Sequence, residues 1–379
     1  MKTKKTQKPI IGEKLKEARL ARGYNATFLA EVFNVTRQAI NKYESGDMQP
    51  SAEILCKYVE FLKFPLNFFI EDNYIAEGKF TKILFRTQMT ANDTDKLKLT
   101  VRARWLRKIS DIIESYVDYP EVLIKRIGFE DQYEDTEIEM LALEARKILG
   151  IGDGPISNLT ILMENSGAII SRMPIKVLKT DACSQWYNNR PFVFLTSDKQ
   201  SAVRSRFDLA HELGHFFLHH IDENEVVGKS SYKRLEDEAN RFAGAFLLPE
   251  KEFAKDLVST SIHHFISLKQ KWKVSIAGMI YRCKDLDLLS ENQISYLWRQ
   301  LSSNGYRKRE PLDDLLLEEK PFMLKSAIEL LSKENIINPI ELNKKMNLPV
   351  DEISKMCNLP EKLFSNNLVA KSLVLRRLK

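Results

Sequence analysis

The sequence predicts an α+β chain that is mostly helical, and three observations carry that prediction. Residues 10–70 divide into short segments of helical apolar period, several of them opened by a capping residue. Three β-rich stretches, AIISRMPI, DACSQWY and PFVFLTS, follow one another and predict a small, largely antiparallel sheet. They run into RFDLAHELGHFFLHH, a helix-period segment holding four of the six histidines, and from there the pattern stays helical. A chain of 379 residues exceeds what one core usually organises. We divide it into an N-terminal unit at 1–72, a central unit with a helical lead-in at 73–255, and a helical C-terminal region at 256–379.

Composition narrows the class. Apolar residues at 44% and charged residues at 29% describe a globular chain rather than a disordered one. No apolar run reaches the length of a membrane span, and the basic start MKTKKTQKPI lacks the apolar stretch of a secretory signal. A cytoplasmic protein with no membrane partner is expected. The four cysteines lie far apart and form no CxxC pair, so reduced thiols are expected and a cysteine metal site is not. The net charge of +6 is unevenly placed: residues 1–70 hold 12 Lys/Arg against 7 Asp/Glu, nearly the whole surplus. That imbalance suits a polyanion partner.

Within residues 10–70 the pattern gives five short helices. IGEKLKEARLARG has Ile11, Leu15 and Ala18 at helical spacing and Gly23 as a stop. ATFLAEVFNV follows, then TRQAINKYESG, in which Thr36 caps the start and Ile40 and Tyr43 point inward. Pro50 and Ser51 open SAEILCKYVEFLK, and Pro65 precedes a fifth helix around 66–70. Two short helices joined by a tight turn in so small a unit form a helix-turn-helix arrangement.

On the stretch LAEVFNVTRQAINKYESGDMQPS the segment resembles the Xre or phage-repressor-like helix-turn-helix family, so a five-helix lambda-repressor-like domain is implied. The resemblance places the face at the start of the third helix in the major groove of double-stranded operator DNA. Thr36, Arg37, Gln38, Asn41 and Lys42 occupy that face. Their chemistry suits the role, because Arg forks onto guanine, Gln or Asn pairs with adenine, and Lys neutralises phosphate. One departure is Ala26, where the family often carries a phosphate-contacting Gln. The DNA-binding class commonly binds paired half-sites as a homodimer.

Between 73 and 160 a long helix is expected from about 96 to 116 and another ending near Gly150. The basic cluster Arg102, Arg104, Arg107 and Lys108 reads as a solvated helix face. The histidine segment then supplies HELGH. His211 and His215 lie about 40° apart around a helix and roughly 6 Å apart along it, so both imidazoles reach one metal ion. Glu212 is rotated by about 100° and stands beside that ion, where a carboxylate takes a proton from a bound water. Three protein ligands are usual at such a site, so a third is sought downstream. SYKRLEDEANRFAGAFLLPE reads as a helix with an apolar stripe; Glu236 and Asn240 share one edge of it, and Glu238 lies on the other. Geometry alone does not separate the two acids. Glu236 is favoured because Asn240 beside it offers a supporting hydrogen bond.

RFDLAHELGHFFLH and LEDEANRFAGAFLLPE, with GPISNLTILMENSGAII and ACSQW before them, resemble the ImmA/IrrE family of zinc-dependent metallopeptidases over about residues 80–255. That resemblance implies a zincin-like HExxH metallopeptidase domain with Zn2+ held by His211, His215 and Glu236, Glu212 as the base, and a protein substrate such as a repressor in a stress or mobile-element response. The contrasting reading is a non-proteolytic repressor or antitoxin whose zinc domain senses a signal or stabilises the fold. His219 is expected too far along a continuous helix to share the ion. Tyr187, Tyr232, His219 and His220 stand open as oxyanion donors. Cys183 is read as a packed residue. Beyond 256, WKVSIAGMIYRCKDLDLLS and IELNKKMNLPVDEISKMCNLPEKLF each show a helix, turn, helix rhythm, read as structural packing.

Overall fold

The computed structural model describes residues 9–71, 84–85, 93–130, 132–174, 182–196, 201–220 and 228–364. Near the N-terminus stand α1 (Gly12–Ala21), α2 (Ala26–Phe33), α3 (Arg37–Ser45) and α4 (Ala52–Leu62). Three of the four begin on a side-chain cap: Asn25, Thr36 and Ser51 accept hydrogen bonds from the backbone N–H of Phe28, Ala39 and Ile54. Asn34, at φ 55°, closes α2 in the left-handed region and turns the chain into α3. At Gly12 any β-carbon would lie 2.5 Å from the Tyr43 carbonyl oxygen, so glycine is what lets α1 meet the end of α3. The expected fifth helix is a single 3₁₀ turn, Leu66–Phe69. Four residues after a proline are too few for an α-helix, and the tight turn buries both Phe68 and Phe69.

The long helix α5 (Asp93–Glu114) packs against α1 and buries Leu99, Trp105, Leu106, Ile109 and Ile113. Its basic cluster is not a solvated face. Arg102 is 5% exposed and pairs with Glu352 at 3.2 Å, and Arg107 donates to Gln185 at 3.3 Å while lying over the Tyr187 ring. Arg104 lies 3.6 Å from Glu17, and burial pulls the Lys108 ammonium down to about 8. The residue types resembled a surface; distant acids and rings cover them instead.

Two more helices, α6 (Asp135–Ile148) and α7 (Leu159–Asn165), precede most of the sheet. The strands β1 (Leu84–Phe85), β2 (Ile169–Met173), β3 (Ala182–Tyr187) and β4 (Arg190–Thr196) lie in the order β1-β3-β4-β2. Asn188 and Asn189, at φ 47° and 60°, make the two-residue turn that pairs β3 with β4. The sheet is mixed, because the hairpin leaves one edge of β4 open and β2 fills it in parallel. Both faces are buried. Ile169, Cys183, Phe192 and Phe194 join the core shared with α5, whereas Ile170, Ala182, Val193 and Leu195 join the core under the histidine helix. That double burial explains why β4 reads as an almost unbroken apolar run.

The remaining helices are α8 (Ala202–Leu218), α9 (Lys229–Leu247), α10 (Glu250–Asp256), α11 (Ile262–Trp272), α12 (Ile276–Asp285), α13 (Glu291–Ser303), α14 (Met323–Lys333), α15 (Pro339–Met346) and α16 (Val350–Met356), with a 3₁₀ turn at Glu361–Phe364. Residues beyond 256 divide between the two cores: α11–α13 join the core of α8 and α9, and α14–α16 join that of α1–α5. Among the described residues the helix, turn, helix rhythm recurs in one geometry between α-helices. Asn34, Lys273 and Asn347 each end a helix in the left-handed region, and an apolar residue and a second helix follow. In the last copy the second helix is docked, with Glu352, Ile353, Ser354 and Met356 buried. Arg22 reaches Asp351 at 2.7 Å and Glu352 at 2.8 Å, which ties the N-terminal helices to the C-terminal ones. Among the described residues no helix is long and apolar enough to cross a membrane.

Candidate metal centre and recognition surface

The helix α8 lies between the sheet and α9, and most of its residues are buried. Leu209, Ala210, Leu213 and Phe217 are fully enclosed and fix its rotation. A β-carbon on Gly214 would come 3.0 Å from the Phe242 ring and 3.3 Å from Ala239 Cα. This glycine of HELGH therefore lets α9 approach closely enough for its side chains to reach the histidines.

His211 is 0% exposed and His215 is 2% exposed. Their Nε2 atoms lie 3.1 Å apart, and Glu236 spans them, Oε2 at 3.4 Å from His211 Nε2 and Oε1 at 3.4 Å from His215 Nε2. One donor atom from each of the three residues lies within 4.8 Å of the others. The structure thus brings Glu236, and not Glu238, to the histidine pair.

Each imidazole is held from behind. Asn240 Oδ1 lies 3.0 Å from His211 Nδ1, so the ring donates there and its Nε2 carries a lone pair. His215 Nδ1 lies 2.9 Å from His219 Nδ1, and His219 Nε2 lies 2.9 Å from Glu238 Oε2. With His219 donating to the carboxylate, its Nδ1 accepts from His215, and His215 Nε2 is bare as well. Two lone pairs and a carboxylate then face one another inside the protein. Such a set repels itself unless a cation lies among the three, so the residues fit a divalent metal of the two-His, one-Glu type.

Glu212 is 1% exposed and accepts a hydrogen bond at Oε2 from the Ser184 hydroxyl. Ser184 was not singled out from the sequence; the available signal was a small polar residue in register with Ala182, on the strand face that meets α8. Other expectations shift. The helix stops at Leu218, and His219 is extended at φ −113°, so its ring turns back to His215 rather than continuing along the axis. Burial drives His219 down to about 4, only partly opposed by its bond to Glu238, and keeps it neutral. Of the four candidate oxyanion donors, Tyr187 donates to Asp111 at 2.9 Å and His219 is committed as described. Cys183 is buried, and burial pushes its thiol upward, as suits a packed residue.

On α3 the arrangement is the reverse. Thr36, Arg37, Gln38, Asn41 and Lys42 are all exposed, while Ile40 and Tyr43 hold the other side of the helix in the core. The Thr36 hydroxyl is used as the helix cap, at 3.1 Å from Ala39 N. That leaves four side chains of the set to project from the first two turns.

Comparisons with known proteins agree with this division. Residues 15–69 match a family profile described as helix-turn-helix, and residues 163–284 match a peptidase-family profile described as an IrrE N-terminal-like domain. A protein of Methanocaldococcus jannaschii designated an HTH-type transcriptional regulatory protein is 47% identical over 57 residues, 15% of this chain and 18% of its own length. An SPbeta prophage-derived, uncharacterized HTH-type transcriptional regulator of Bacillus subtilis is 31% identical over 65 residues, 17% of this chain and 60% of its own length. The chain thus spans less than two thirds of either relative. It joins, in order, an Xre-like helix-turn-helix domain at residues 15–69 and an IrrE N-terminal-like domain at residues 163–284.

Proposed function

We propose that the protein is a DNA-binding transcriptional regulator with a zinc endopeptidase centre, and that its substrate is a regulatory protein such as a repressor. The observation that carries this reading is the convergence of His211 Nε2, His215 Nε2 and the Glu236 carboxylate, with Glu212 next to His211 in the chain and buried. Those three residues would hold the metal. Zinc bound there supplies Lewis-acid polarisation of a peptide carbonyl and acidifies water. Glu212 is the general base: its carboxylate accepts a proton from the attacking water and returns it to the leaving amine. Ser184 donates to Glu212 Oε2 and fixes the orientation of that carboxylate. Burial of Glu212 and both histidines keeps bulk water from competing for these hydrogen bonds.

On α3, Arg37, Gln38, Asn41 and Lys42 read the major groove of operator DNA, and Thr36 sets the start of that helix. Two copies bind paired half-sites as a dimer. The test is a comparison of new protein N-termini in host cells carrying the wild-type gene or Glu212→Gln. The expected result is at least one terminus in a regulatory protein that disappears in the variant. Identical sets of termini would exclude the peptidase role and leave a metal-stabilised regulator. Intact mass of the purified protein over time, with and without chelator, separates cleavage of a partner from self-cleavage.

A further inference from the structure

His215 sits in the last turn of α8, where the helix itself does little to fix the rotation of an imidazole. His211 obtains its orientation from Asn240 on α9, but no residue of α9 reaches His215 Nδ1 directly. The chain provides a substitute by ending α8 at Leu218. His219 then leaves the helix path, is 6% exposed, and places Nδ1 at 2.9 Å from His215 Nδ1. Behind it, Glu238 is 5% exposed and meets His219 Nε2 at 2.9 Å. Glu238 is fixed in turn: its Oε1 accepts the Tyr133 backbone N–H at 3.3 Å and lies 3.7 Å from Arg234 Nε. The Tyr133 hydroxyl donates to the Leu218 carbonyl at 3.3 Å, which holds the chain where it leaves the helix.

We infer that His219 and Glu238 are positioning residues, a buried carboxylate-to-histidine relay that fixes the tautomer and rotation of His215 so that its Nε2 faces the metal. The inference rests on reading His211, His215 and Glu236 as the metal ligands. It divides Glu236 and Glu238 of α9 by task, Glu236 toward the ion and Glu238 behind a ligand. A ligand's outer hydrogen bond raises its basicity and restricts its motion, and loss of such a partner typically weakens metal binding by about 10–100-fold.

The test is zinc affinity of the full chain by competition with a chromophoric chelator, for wild type, His219→Ala, Glu238→Gln and the double variant. Melting of each metal-free protein and the visible spectrum of its Co2+ form are recorded alongside. The expected result is about 10–100-fold weaker zinc for His219→Ala, with an altered Co2+ spectrum. Glu238→Gln shifts affinity in the same direction. The double variant is within roughly twofold of His219→Ala, because both residues act through one hydrogen bond to His215. Wild-type affinity and spectrum in His219→Ala would overturn the relay. So would losses that multiply in the double variant while metal-free melting falls in step, the sign of a packing role. If His219→Ala does not fold, Glu238→Gln keeps the side-chain size and decides by the same two readouts. A wild-type protein that binds no zinc would refute the ligand assignment itself, a result distinct from failure of the relay.

Discussion

The α8–α9 centre and the α3 surface use polar side chains in opposite ways. In the centre the hydrogen bonds run in series, from Tyr133 through Glu238 and His219 to His215, and from Asn240 to His211. On α3 each side chain projects by itself from a helix whose cap and core contacts are complete without it. A buried group must have its partner inside the protein, so changes there propagate. An exposed group is completed by water until a ligand arrives, so changes there stay local.

The largest effect is expected at a proposed metal ligand. His215→Ala removes one of the three proposed ligands, and with a total binding energy on the order of 12 kcal/mol it should weaken zinc by about 10³-fold. DNA affinity should change little, and the two properties are measured by chelator competition and by a mobility shift. Next in size is the ion cluster joining the N- and C-terminal helices. Glu352→Ala removes the carboxylate that Arg102 pairs with in a buried site, and denaturant unfolding should show a loss of about 3 kcal/mol. Arg37→Ala and Lys42→Ala come third. Each should weaken binding to a duplex selected from a random pool, by about 2 kcal/mol for a base contact, with melting unchanged and with the two losses adding. Non-additive losses on α3 would mean that its side chains act as a linked set after all.

The smallest expected effect lies in the pH dependence of stability. Burial favours a neutral Asp351, but hydrogen bonds from Arg22 and Lys355 outweigh it and hold the carboxyl at about 2, below its ordinary 3.8. A lowered value in the folded state means stability that is present above pH 3.8 and lost as pH falls toward 2. Asp351→Asn should therefore melt slightly below wild type at neutral pH, by about 1 kcal/mol or less. The gap should close on acidification across that window. A gap that persists at pH 2 would assign the difference to packing.

The α3 surface was legible in the sequence because its determinants are local: Thr36 as the cap, and Ile40 and Tyr43 as the inward face. The histidine pair was legible for the same reason, since a four-residue spacing fixes direction on a helix. The choice between Glu236 and Glu238 was legible only in part: Asn240 favoured Glu236, but helix geometry alone does not separate the two acids, because their reach depends on how closely α9 meets α8 at Gly214. Ser184 and Tyr133 escaped because they come from elements distant in the chain. The basic face of α5 was misread for a related reason: the partner that buries Arg102, Glu352, lies 250 positions away. Local geometry also repeats without repeating a surface. Residues 339–356 share the turn of residues 26–45, yet α16 carries Asp351 and Glu352 into an ion cluster where α3 carries Gln38 to solvent.

If catalysis at the proposed metal centre is the regulatory act, the transcript profile of the native host carrying Glu212→Gln will show it, with zinc content of the purified variant measured alongside. The expected result is zinc retained at the wild-type level and a profile matching that of a full deletion. Zinc retained with a wild-type profile would contradict it, and would leave the metal a part in the fold or in sensing rather than in proteolysis.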